Sequence, residues 1–320
     1  MLDTISSSAK PNLKLFKRGT LVKGQPAQME CVEINGQTFS VSGGALNVVR
    51  VAEEWYEDLA DPERVIEALR RDPSIKPDIF TFWQRLPDIE PRYKYHKEWE
   101  SLATLPVQSY DDWFNTKIAS RVRSLIRKSK KEGLEVREVP YDDEFVRGMT
   151  EIFNEAPVRQ GRKFWHYGKD FKTIKEQFSR FIFREDMIGA YFEGELIGFI
   201  MLGNAGRFAI TEQIISKMKH RDKATNNVLI AKAVEVCARR QLPHLVYLYW
   251  TNDSLAEFKR RCGFEETKVP RYFVPLTQKG KMALKLGLHH GLKAVLPEPI
   301  KSRLKRVRKF WNEFRTETAA

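Results

Sequence analysis

The chain has 320 residues and a formal charge of +13, with 42% apolar, 12% aromatic and 30% charged residues. That balance excludes a disordered or collagen-like chain and allows one large or two medium domains with full cores. The three cysteines, Cys31, Cys237 and Cys262, have no paired spacing, so neither a disulfide framework nor a zinc site is expected and no metal is assigned. A reducing cytoplasm fits this usage. The start, Met1 to Ser8, lacks the basic and apolar regions of a signal peptide, and no apolar run approaches the length of a membrane span. Eleven Lys/Arg against three Glu after residue 276 make the last stretch the most basic part.

In chain order, residues up to about 25 are weakly patterned. Met29 to Val41 reads as a hairpin, because Asn35-Gly36 supplies the positive φ angles of a tight primed turn. Asp61-Pro62-Glu63 predicts a helix to Arg71, with aspartate as N-cap and proline at the first helical position. Asp78 to Arg85 and Tyr93 to Leu105, rich in aromatics and proline, hold strands without clear limits. From Ser109 to Lys131 the pattern is helical, with Ile118, Val122, Leu125 and Ile126 on one stripe. Gly133 ends that helix and a strand follows to Val139. Helices are predicted near Asp143 to Asn154 and Phe171 to Phe183, and a second hairpin turns at Glu193-Gly194-Glu195.

The central stretch runs from Phe208 to Phe264. It reads as a strand to Ile215, a basic polar loop from Lys219 to Asn226, a helix to Arg240, a strand His244 to Trp250, and a short helix closed by Gly263-Phe264. A helix entered through such a loop leaves its first N–H groups unpaired, which makes a site for a phosphate. The order of elements predicts an α/β (α+β) sandwich with a mixed sheet.

Asn252 followed by Gly263-Phe264 resembles the closing helix of the GNAT N-acetyltransferase superfamily. Two positions depart from its pattern: His220-Arg221-Asp222-Lys223-Ala224-Thr225 replaces the glycine-rich donor loop, and Lys259 stands where a tyrosine is usual. Phe258-Lys259 with Gly263-Phe264 is instead similar to the FemABX branch and the related BioF2-like acetyltransferase domains. Tyr110-Asp111-Asp112-Trp113-Phe114, leading to Ile126-Arg127-Lys128 and Gly133, also looks like that branch. The resemblance spans roughly Tyr110 to Thr277. It implies a GNAT-like central sheet flanked by helices, with residues 1–108 as a smaller N-terminal lobe, 109–277 as the catalytic domain and 278–320 as a basic amphipathic helical tail.

Candidate roles follow. Lys219, Arg221, Lys223, Thr225, Asn226 and Asn227 are expected to hold a donor pyrophosphate or tRNA phosphate, against the alternative of a solvated loop with an ordinary cap. The resemblance adds Asn252, and it raises Lys259 from an ordinary surface lysine to a group that neutralises developing charge. Glu212 on the central strand is placed to take the acceptor amine's proton, the alternative being an ion pair with a nearby arginine. Arg159, Gln160, Arg162, His166 and Tyr167, in a loop bounded by Pro157 and Gly168, suggest an acceptor pocket. The tail Lys301 to Trp311 suits an anionic membrane surface, and nucleic acid is a partner only if the donor is a tRNA. The expectation is a cytoplasmic N-acyltransferase or aminoacyltransferase that uses acyl-CoA or aminoacyl-tRNA, with a cell-envelope or polysaccharide precursor as amine acceptor. The rival is a non-catalytic module that binds membrane or nucleic acid through its basic surfaces.

Overall fold

The computed structural model describes residues 13–22, 25–72, 74–159, 161–180 and 182–290. Gln160 and the tail segment Lys301 to Trp311 lie outside the described residues.

Strands β1 (Leu15–Val22), β2 (Gln25–Ile34), β3 (Gln37–Ser42) and β4 (Val48–Val51) form an antiparallel meander. The β2–β3 hairpin turns where expected, with φ of 52° at Asn35 and 77° at Gly36. Helix α1 (Pro62–Arg71) also starts as read, the Asp61 carboxylate accepting from Arg64 N at 3.2 Å. Its Val65, Ile66 and Leu69 pack on β2 to β4 and on β5 (Ile79–Trp83). Burying each such side chain stabilises by about 1.5–3 kcal/mol.

Strand β6 (His96–Pro106) leaves the N-terminal segment and lies between β13 (His244–Tyr249) and β14 (Glu265–Pro275). With β7 (Glu135–Val139), β10 (Glu185–Phe192), β11 (Glu195–Asn204) and β12 (Ala209–Ser216), these strands make one mixed sheet of twelve. Its order is β1-β2-β3-β4-β5-β14-β6-β13-β12-β11-β10-β7, parallel only at β4–β5 and β12–β13. The remaining strands, β8 (Val158–Arg159) and β9 (Arg162–Lys163), form a separate ribbon.

Alternation along β11 builds the layers. Leu196, Phe199 and Met201 meet α4 (Asp143–Asn154) and α5 (Phe171–Phe178) on one face. Ile197, Ile200 and Leu202 meet α3 (Ser120–Lys131) and α6 (Thr225–Arg239) on the other. Helix α7 (Ser254–Arg261) follows β13, and α8 (Gln278–Lys285) packs on β5 and β14, in the middle of the sheet.

Two helices differ from the sequence expectation. The helix expected from Ser109 to Lys131 is broken: α2 (Tyr110–Asp112) runs into a π-turn at Trp113–Lys117, and α3 begins afresh at Ser120. The chain also bonds to the end of α7 there. Trp113 Nε1 donates to the Cys262 carbonyl at 2.9 Å and Ala119 N to the Arg261 carbonyl at 3.0 Å. Arg123 covers the carbonyl freed at Ile118, at 2.7 Å. The second, α5, stops at Phe178 rather than Phe183. No helix among the described residues is long and apolar enough to cross a membrane.

Candidate active site

Strands β12 and β13 pair only at Ala209–Leu245 and Ile210–Val246, then part. Beyond Val246 the register of β13 on β6 shifts, and Leu248 takes a φ of 49°. Lys259 of α7, 1% exposed, holds this distorted end. Its Nζ donates to the carbonyls of Tyr247 at 2.8 Å and Tyr249 at 2.7 Å, on either side of Leu248. Burial lowers the ammonium to about 8. The sequence expectation made Lys259 a charge-neutralising residue at the reacting centre; in the structure, two of its three N–H donors brace strand carbonyls.

The parting strands open a cavity of about 660 Å³. Gln213 to Ser216 of β12, Tyr247 of β13, Leu255 and Phe258 of α7, and Thr225 to Asn227 at the start of α6 line it. Ala224 precedes that helix in the left-handed conformation, with φ 50°, and no side chain caps it. Thr225 is buried beside β11, because a Cβ at Gly198 would stand 2.6 Å from Thr225 Cγ2. Thr225 Oγ1 and Asn226 Oδ1 are buried without a hydrogen-bond partner among the described residues. An uncapped helix start with orphaned polar atoms suits an anionic group. Arg159, Arg162, Lys163, Lys217, His220 and Arg221 also line this cavity, and no carboxylate among the described residues does.

The cations of the loop from Lys219 to Asn226 separate into two kinds. Lys219 donates to Glu195 at 2.8 Å, and Lys223 lies 3.5 Å from Glu132 and over the Phe192 ring; neither lines the cleft. Burial opposes ionisation of Glu195, but its hydrogen bonds from Lys217, Lys219 and His220 hold the carboxyl at about 2. Arg221, by contrast, lines the cleft and has no ion pair among the described residues. Asn252 is exposed and lines neither of the two large cavities.

The loop expected to form an acceptor pocket walls the cleft at the start of α6. Arg159 donates to the carbonyls of Ser216 at 2.8 Å and Ile152 at 2.7 Å and to Glu155 at 2.9 Å. Glu155 accepts from the backbone of Met218 and Lys219, so the pair ties the loop to the entry of α6. Arg162 and Lys163 line the cleft without an ion pair among the described residues. His166 is 1% exposed and stacks on Phe153 at 4.3 Å, and burial lowers it to about 3, so it is a neutral core residue. Tyr167 is exposed and outside the cleft lining.

Glu212 faces a different cavity, of about 920 Å³, lined also by Glu30, Arg50, Glu53, Glu54, Trp55 and Tyr56. It is the extra residue of a bulge: Met201 pairs with Gln213 and Leu202 with Thr211. Burial pushes its carboxyl above the ordinary range, a Tyr56 hydrogen bond opposes, and the Glu53 charge adds to the rise. The Tyr56 hydroxyl donates to Glu185 at 2.9 Å and also bonds Glu212. Burial raises Glu185 to about 7. Glycine at 203 makes room, since a Cβ there would lie 2.4 Å from that hydroxyl. Sequence reasoning missed Tyr56 and Glu185; the only local signal was the dense acidic and aromatic run Glu53-Glu54-Trp55-Tyr56-Glu57.

No family model and no curated protein matches the chain. Solved structures do match. FemX superposes with a TM-score of 0.53 at 12% identity, over 86% of this chain and 90% of that one. The C-terminal domain of a candidate lysylphosphatidylglycerol synthetase from Agrobacterium fabrum gives 0.51 at 11%, over 85% and 88%. L-PGS from Bacillus licheniformis gives 0.52 at 14%, over 80% and 83%. Likeness at such identities is a likeness of fold. The chain shares the fold of these structures, a mixed central sheet between helices.

Proposed function

We propose that the protein transfers an acyl or aminoacyl group from a phosphate-bearing donor, an acyl-CoA or an aminoacyl-tRNA, to an amine acceptor. The observation that carries this reading is the position of β12: Gln213 lines the cationic cleft while its neighbour Glu212 lines the second cavity. The donor's phosphates lie at the start of α6 with Arg162, Lys163 and Arg221, and its carbonyl reaches the parting of β12 and β13. The acceptor enters from the Glu212 side, where Trp55 and Tyr56 offer aromatic surface.

Direct attack needs no covalent enzyme intermediate. The amine lone pair forms the new bond to the carbonyl carbon, the thiolate or ribose oxygen leaves with its electron pair, and the nitrogen gives up a proton. Glu212, ionised, accepts that proton directly or through one water. Its raised pKa makes it a better base than an ordinary carboxylate. A cell-envelope amine is the acceptor class to test first.

Thermal-shift screening with acetyl-CoA, longer acyl-CoAs and aminoacyl-tRNA tests the donor half. One donor class raises Tm, and Arg162→Ala with Arg221→Ala weakens it about tenfold or more, the scale of lost charge-assisted hydrogen bonds. Stabilisation by liposomes or polynucleotides alone would replace the enzyme reading with a binding module.

A further inference from the structure

A cluster away from both cavities gathers three imidazoles around one carboxylate. His96 and Glu98 are two apart on β6 and so share a face. The turn Leu288–His290, set by Gly287 at φ 67°, brings His289 and His290 to that face from the far end of α8. His289 Nε2 lies 2.6 Å from Glu98 Oε1, His96 Nε2 lies 3.5 Å from the same oxygen, and His290 Nε2 lies 2.8 Å from Oε2. The candidate ligand atoms of His96, Glu98 and His289 all fall within 4.8 Å of one another. Tetrahedral ligands about 2.0 Å from a zinc ion stand about 3.3 Å apart, so small side-chain rotations suffice to admit one. Phe273, edge-on to His289 at 4.7 Å, supplies an apolar floor.

We propose that His96, Glu98 and His289, with His290 as a fourth group, form a divalent transition-metal site of the zinc class. Imidazole nitrogen with one carboxylate oxygen is a donor set for Zn²⁺ or Co²⁺ and a poor one for Mg²⁺ or Ca²⁺. The site clamps the segment after α8 to β6 across 191 residues of sequence. Its role is structural, since none of its ligands lines the cleft or the Glu212 cavity. The cysteine spacing bore only on thiolate sites and was silent on this one.

The test is a Co²⁺ titration of the full-length, tag-free chain, read by its visible absorption and by competition with Zn²⁺. One saturating equivalent with a tetrahedral spectrum is expected. His96→Asn and His289→Asn each weaken binding at least about tenfold, taking the effect of lost supporting contacts as the lower bound. His96 is half exposed, so that variant keeps the fold, which circular dichroism checks. Absence of saturable binding, or unchanged affinity in the double variant, overturns the proposal.

Discussion

The cleft at the start of α6 and the cavity at Glu212 meet at one strand yet use charge in opposite ways. Around the cleft, several basic groups are already partnered: Glu195 takes Lys217, Lys219 and the His220 ring, while Glu155 takes Arg159. Arg162, Lys163 and Arg221 line the cleft with no ion pair among the described residues. Around the other cavity, Glu53 pairs with Arg18 and Arg180, and Glu54 with Arg271. Glu212 has no ion pair among the described residues and is answered only by a tyrosine hydroxyl. What separates binding charges from bracing charges is the pairing of each group, which residue type alone does not reveal.

That contrast can be broken from either side. The largest effect is expected for Glu212→Gln, which removes the proposed base and leaves the cleft intact. Transfer should fall about 10²–10⁴-fold in kcat while donor affinity holds; a proportional loss of donor affinity in direct binding measurements would place Glu212 in the wrong half of the site.

Glu185→Gln gives a smaller, pH-dependent effect. The folded pKa of Glu185, about 7, lies above the ordinary glutamate value of 4.5, so its contribution to stability is full below about 4.5 and is lost as pH rises through 7. Glutamine cannot ionise, so the variant should lose less stability than the native chain between pH 5 and pH 8. The difference is on the order of 2–3 kcal/mol, read by chemical denaturation at the two pH values. Parallel curves would show that Glu185 is not held in its acid form.

The smallest effect is expected for Lys219→Ala and Lys223→Ala. Both lysines sit in the loop, but carboxylates occupy them, so donor affinity should change less than about threefold, within the range of exposed ion pairs. Losses matching those of Arg162 and Arg221 would mean that these pairs open to receive the donor.

Much of the architecture was legible locally. The turn at Asn35-Gly36, the cap at Asp61-Pro62, the hairpin at Glu193-Gly194 and the strand–loop–helix entering α6 depend on φ preferences and periodicity within a few residues. The break at Trp113–Lys117 was not legible, because it depends on carbonyls of Arg261 and Cys262, remote in sequence. Nor was the length of β14, whose N-terminal half is charged and partly exposed but pairs with β6 throughout.

The sequence by itself determined the mixed α/β plan, the open helix start at Thr225 and a carboxylate on the central strand, since each follows from short-range chemistry. Only the tertiary structure decided which cations remain free, that Lys259 braces a strand, that His166 is core, and that Tyr56 and Glu185 flank Glu212. Those outcomes rest on desolvation and on partners far away in the chain, and both are properties of packing.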